Sequence, residues 1–104
     1  MKYIAVTACP TGIAHTYMAA ENLEKTAKKL GHEIKVETQG AMGIENELTA
    51  NDIKNADVLI LAVDIMVEKM ERFDNIPRIE VPIQRALKDP ESIFSKESKY
   101  TPRV

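Results

Sequence analysis

Tyr3-Ile4-Ala5-Val6-Thr7-Ala8 is an almost unbroken apolar run containing β-branched Ile4 and Val6, which predicts a strand buried on both faces and central in its sheet. From Ile13 to Leu30 the pattern changes to three- and four-residue spacing: Ile13, Thr16, Ala20, Leu23, Ala27 and Leu30 share one face, with Glu21, Glu24, Lys25, Lys28 and Lys29 on others. That is a helix with a cationic last turn and with Gly31 where a left-handed cap belongs. Glu33-Ile34-Lys35-Val36-Glu37-Thr38 alternates as a half-exposed strand would, and the glycines of Gln39-Gly40-Ala41-Met42-Gly43 mark a loop after it. Thr49 and Asp52 open a short helix reaching about Asn55, and Asp57 to Val63 is the most apolar strand candidate. Ile79-Glu80-Val81 gives a brief strand before a helix that starts at Pro82 and reaches about Lys88.

Strands separated by helices imply right-handed crossovers and an α/β class: a small three-layer α/β/α domain with a mostly parallel, about four-stranded Rossmann-like sheet. Ligands of such sheets bind beyond the carboxyl ends of the strands, near where strand order reverses. That edge is expected to collect Cys9 to Thr16, Gln39 to Gly43 and Asp64 onward.

A chain of 104 residues, 44% apolar and 29% charged, supports one domain over residues 1–104, with a polar tail from about 90 that either forms a short helix or packs loosely. The net charge of −2, with Lys and Arg interleaved among Glu and Asp, gives no electrostatic case for nucleic acid. The longest apolar run, Val58 to Val63, is far short of the ~20 residues of a membrane helix, so no membrane span is expected. The start of the chain runs from a short apolar stretch straight into Thr7-Ala8-Cys9-Pro10 and reads as a cytoplasmic protein rather than a secretory leader. One cysteine and two distant histidines, His15 and His32, with no carboxylate cluster at ligand spacing, argue against a disulfide, a dithiol redox cycle, a metal and a cofactor.

The lone Cys9 falls at the carboxyl end of the first strand and just before the long helix. Unpaired first-turn amides and the positive end of the helix dipole favour an anion there, and with it the thiolate over the thiol. Successive amides of Thr11-Gly12-Ile13-Ala14-His15-Thr16 suit a phosphate-sized anion, with Gly12 permitting close approach and Thr11 and Thr16 supplying hydroxyls. A lone thiol after a strand is often only a small core hydrophobe, but a core thiol does not require the permissive turn Pro10-Thr11-Gly12. Phosphatases with a Cys-x5-Arg loop place a guanidinium six residues after the cysteine; here that position is His15, which lacks the bidentate fork. The loop is expected to hold a phosphoryl group more than to hydrolyse it. His15 is read either as a phosphate contact or as a first-turn residue facing solvent or packing on Tyr17.

Cys9-Pro10-Thr11-Gly12-Ile13-Ala14-His15-Thr16 resembles the phosphorylation-site loop of the fructose-specific enzyme IIB component (type 2) of the bacterial phosphoenolpyruvate-dependent sugar phosphotransferase system, PTS. Glu37-Thr38-Gln39-Gly40, Gly43-Ile44-Glu45-Asn46-Glu47-Leu48, Ala62-Val63-Asp64 and Glu71-Arg72-Phe73 look like further segments of that family in the expected order, from residue 2 to about 90. The resemblance implies a phosphohistidine–sugar phosphotransferase acting through phosphocysteine. Cys9 would take the phosphoryl group from a cytoplasmic IIA protein, Pro10 to Thr16 would bind it, and a sugar held by the membrane-embedded IIC component would receive it. Sugar identity is not implied, since recognition belongs mostly to the membrane component.

At the rim, Gln39 and Gly40 are expected to shape a loop rather than perform chemistry, and Asp64 to cap the next helix or hydrogen-bond the cysteine loop. Arg72 is the nearest compensating cation or else a surface ion-pair partner, while Met66 and Met70, four apart, suit core packing of a short helix or a partner-binding face. The competing functions are a low-molecular-weight phosphatase or arsenate reductase, which calls for arginine at position 15, and a non-catalytic module that reports phosphorylation to a partner.

Overall fold

The computed structural model of the chain describes residues 2–9, 13–40, 43–74 and 76–94, with Ile13 and Ala14 described in their backbone alone. Five strands form one sheet in the order β3-β2-β1-β4-β5: β1 Lys2–Ala8, β2 Glu33–Gly40, β3 Gly43–Glu45, β4 Val58–Val63 and β5 Arg78–Val81. All pairings are parallel except that of β3, which lies antiparallel on β2 with Gly40 opposite Gly43. The expected four strands are thus joined by a fifth, within a segment read as loop and chain beyond it. Three residues are too few for alternation to register.

The central place of β1 follows from its sequence. Its alternate side chains feed two cores: Tyr3 and Ala5 join Val36, Ile60, Ala62 and Ile79 on one face, while Ile4 and Val6 join Leu59, Leu61, Phe73 and Ile76 on the other. The first face is covered by α1 (Ile13–Lys29), α3 (Ile83–Lys88) and α4 (Pro90–Ile93), through Ala19, Leu23, Ala27, Ile83, Ala86 and Ile93. The second is covered by α2 (Ala50–Asn55), a 3-10 turn at Met70–Phe73 and the chain between them and the sheet. This is the three-layer arrangement the pattern predicts.

Local signals account for the ends of these elements. Past α1, Gly31 adopts φ +80°, the amide of Gly31 reaches the oxygen of Lys28 at 3.1 Å and that of His32 reaches Ala27 at 2.8 Å, a Schellman closure that a Cβ would strain. Thr49 and Asp52 form a reciprocal capping box at the start of α2, with bonds of 3.0 and 2.9 Å. The tail is packed as far as Phe94: Ile93 is fully buried, and the Phe94 ring meets Tyr3 edge-on at 4.9 Å. His32 sits against the same two rings, 5.2 Å from Tyr3, at the amino edge of the sheet and far from Cys9.

One expectation for β2 is corrected. Its second half is not half-exposed: Val36, Glu37, Thr38 and Gln39 are all buried. Polar side chains alternate along the strand, but those at its carboxyl end are covered by the chain after β4 and satisfied there, so alternation reads as exposure where burial has been made acceptable by hydrogen bonds.

Candidate phosphoryl-acceptor site at the carboxyl edge

Parallel registry fixes what lies side by side at this edge. Ala8 pairs with Gln39 on one side and Val63 on the other, so Cys9, Gln39-Gly40 and Asp64 emerge as neighbours. The chain leaves β1 toward β2 on one side and later places β4 on the other, so strand order reverses at β1. Cys9 is therefore at the switch point of the sheet. Its side chain is buried, 6% exposed, in the core shared with α1. Pro10, Thr11 and Gly12 lie outside the described residues; Ile13 and Ala14 open the helix, followed by exposed His15 and buried Thr16.

The first turn of α1 is anchored to the strand. Thr7, fully buried, donates its hydroxyl to the main-chain oxygen of Thr16 at 3.1 Å. On the exposed side the Tyr17 hydroxyl donates to the Glu45 carboxylate, tying the helix to β3; this bond, then burial and the carboxylate's charge, raises the phenol's pKa.

Asp64 acts at both ends of its backbone and side chain. Its amide donates to the oxygen of Ala8 at 3.1 Å, and its Oδ1 accepts from the amide of Ile83 at 3.2 Å. It caps a helix, as expected, but that helix is α3 beyond β5 rather than the next turn in sequence.

Gln39 and Gly40 belong to β2 rather than to the expected loop, and Gln39 acts on the rim as a buried side chain, 4% exposed. Its Oε1 accepts from the amide of Glu68 at 2.8 Å and its Nε2 donates to the oxygen of Glu68 at 3.2 Å, mimicking one rung of a sheet. Nε2 also donates to Glu37 at 2.7 Å. Glu37 is fully buried and takes two parallel bonds from Arg72, 2.8 and 3.0 Å long, and one from the amide of Leu48 at 2.8 Å. Burial pushes the Glu37 carboxyl up, but the Arg72 fork, the Leu48 amide and Gln39 outweigh it and hold its pKa below the usual carboxylate range.

Arg72 is thus the ion-pair partner of a buried carboxylate, its side chain 15% exposed, rather than a surface residue or a cation directed at Cys9. Its Nε also donates to the oxygen of Lys69 at 2.8 Å, and its guanidinium lies 4.5 Å over the Phe73 ring. Sequence reading missed this pair, because the partners lie 35 residues apart and neither breaks the local pattern. The two methionines separate as well. Met70 packs on the core, whereas Met66 is 92% exposed because no helix forms across 66–70 to turn it inward.

A groove of about 800 Å³ on the face opposite α1 is bounded by Leu48, Ile53, Ala56, Arg72, Ile76 and Pro77 and does not include Cys9, Gln39, Gly40 or Asp64. A second, of about 440 Å³, lies behind the rim and is bounded by Val63, Asp64, Met66, Val67, Met70 and Glu80. Among the described residues no group of three or more His, Cys, Asp or Glu side chains could hold a metal, and no helix is long and apolar enough to cross a membrane.

Residues 4–96 match the family described as "PTS system, Lactose/Cellobiose specific IIB subunit". The chain belongs to the PTS IIB family. It is 56% identical to the PTS system fructose-like EIIB component 2 of Escherichia coli (strain K12) over 91% of this chain and 90% of that protein. It is 50% identical to the PTS system fructose-specific EIIABC component of Bacillus subtilis (strain 168), matching 91% of this chain and 15% of that longer protein. A solved domain from the fructose-specific IIABC component of Borrelia burgdorferi superimposes with a TM-score of 0.85 at 50% identity, covering 89% of this chain and 88% of that one. The family description names lactose and cellobiose and these relatives name fructose; whole-length identities near half make this PTS IIB domain fructose-like. A PTS IIB domain serves phosphoryl transfer in sugar uptake, alongside IIA and IIC partners.

Proposed function

We propose that Cys9 is the phosphoryl acceptor of this PTS IIB domain, taking the group from phosphohistidine on a IIA protein and giving it to a sugar, of fructose type, held by IIC. The observation that carries the reading is the position of the thiol at the carboxyl end of the central strand, where strand order reverses and α1 begins. With helices on both faces of the sheet, a donor reaches Cys9 along that edge.

In the first step the Cys9 thiolate attacks phosphorus, a P–S bond forms, and the P–N bond breaks with its electron pair passing to the imidazole. In the second, a sugar hydroxyl attacks, the P–S bond breaks with its electron pair returning to sulfur, and the hydroxyl's proton passes to solvent. Cys9 is nucleophile and then leaving group. Amides from Thr11 to Thr16 and the hydroxyls of Thr11 and Thr16 hold the three non-bridging oxygens, so the work of the protein is positioning and charge stabilisation without a metal. His15, exposed in the first turn, supplies a hydrogen bond in place of the arginine that a phosphatase loop uses. The protein acts in the cytoplasm, where its donor resides.

Labelled phosphoenolpyruvate, the general phosphotransfer proteins and a fructose-type IIA provide the test. Label should appear on this chain and vanish in Cys9→Ser. Label retained in the variant puts the acceptor elsewhere and ends this reading. Steady Cys9-dependent hydrolysis of p-nitrophenyl phosphate would favour the phosphatase alternative instead.

A further inference from the structure

We propose that Glu37, Gln39 and Arg72 are positioning residues for the phosphoryl relay, forming a latch that fixes the rim from Asp64 to Lys69 beside Cys9 for the incoming phosphodonor. The proposal rests on the phosphocysteine reading and adds to it the element that sets how the donor meets the thiol.

The rim is secured at its two ends and little between. At its start, Asp64 bonds Ala8 and Ile83. At its end, both main-chain groups of Glu68 are taken by Gln39, and the oxygens of Glu68 and Lys69 accept from Arg72 at 3.3 and 2.8 Å. Val67 is buried, but Ile65 and Met66 face solvent at 39% and 92% exposure, and the 440 Å³ hollow lies behind this segment. Packing therefore leaves the rim room to move, and Lys69, at φ +61°, holds a backbone conformation that its surroundings must enforce.

The latch is built to enforce it. Glu37 orients the Arg72 fork by two parallel bonds and Gln39 by a third, so the groups that grip Glu68 and Lys69 are themselves immobilised. All of it hangs on β2, whose Gln39 pairs with Ala8, the residue before Cys9. Rim and thiol thus share one frame. A donor that docks on a rim already fixed does not have to order it on binding, so the latch lowers the donor concentration needed for half-saturation.

The test uses Gln39→Leu, which keeps the buried volume but loses both bonds to Glu68, and Glu37→Gln, which keeps the shape but presents an amide to Arg72. Two readouts are taken on the intact chain: hydrogen exchange of the Glu68 amide, and Cys9 phosphorylation as a function of phosphorylated IIA concentration. In Gln39→Leu, Glu68 should lose protection while β1 and β4 amides keep theirs. In both variants the half-saturating donor concentration should rise about 10-fold, with the saturating rate within about 2-fold of the parent. An unchanged half-saturating concentration with Glu68 exposed would overturn the proposal, as would a fallen saturating rate alone, which would make these groups part of the chemistry. Protection retained at Glu68 would show that the latch does not hold the rim. Absence of label on the parent would end the phosphocysteine reading and the proposal's functional half, while exchange at Glu68 would still report whether the latch exists.

Discussion

The Thr7 hydroxyl and the main-chain oxygen of Thr16 meet at 3.1 Å across the junction of the central strand and the first helix. The bond spans the loop that carries Cys9 and Pro10 to Gly12, so the two ends of that loop are pinned to one another from inside the core. Thr7→Val preserves shape and strand propensity and removes only this bond. The expected cost is about 1 kcal/mol, read as a lower urea midpoint at unchanged slope. No loss at all would mean that packing alone positions the helix start.

The pair of Glu37 and Arg72 predicts an asymmetry. Arg72→Ala leaves a fully buried carboxylate without its cation and should cost about 3–5 kcal/mol. Glu37→Gln should cost clearly less, since a neutral amide remains buried and the partly exposed Arg72 side chain reaches water. Equal losses in chemical denaturation would contradict the assignment of Glu37 as the group that depends on the pair.

Asp52 gives the acid limb of stability its shape. The bond from Lys35 at 2.6 Å, with those from Thr49, lowers its carboxyl from 3.8 to about 2. The unfolded chain binds this proton near pH 4 and the folded chain only near pH 2. The stabilisation is therefore complete above about pH 4 and is lost as pH falls through that window. Glu37, also held down, adds in the same direction. Asp52→Asn should flatten the urea midpoint against pH between 4 and 2; an unaltered slope would remove Asp52 from the account.

Leu23 lies fully buried on the face of α1 that meets the sheet. Leu23→Ala should cost about 2–5 kcal/mol by thermal or urea unfolding, the spread reflecting how far the site can collapse. A cost below 1 kcal/mol would mean that α1 is only loosely seated.

Phe94 tests how far the packed chain extends. Its ring closes the cluster with Tyr3 and His32, so Phe94→Ala should cost about 3 kcal/mol despite its place late in the sequence. A neutral result would favour loose packing over the short helix, the two forms that the tail's composition allows.

What could be read in the sequence was what short-range pattern encodes. The doubly buried run at Tyr3 to Ala8, the helix closing at Gly31, the Thr49-Asp52 box and the gathering of Cys9, Gln39 and Asp64 at one edge all follow from period, caps and the rule for parallel sheets. What escaped was set by long-range contacts. Glu37 looked solvent-facing because its partner Arg72 arrives from a distant segment, Met66 looked helical because spacing cannot tell a turn from a loop, and β3 was too short to alternate. The order of residues pointed to the place of the thiol and not to the ionic bracing behind its rim.

The short border strands have a consequence for how such a domain coexists with neighbours. β3 has three residues and β5 four, and their side chains include Glu45, Arg78 and Glu80. Borders so brief and so charged offer little template for another chain to zip onto. A fold finished in this way tolerates crowding by other domains on one polypeptide, as in the Bacillus subtilis relative, where the matching stretch is 15% of the whole.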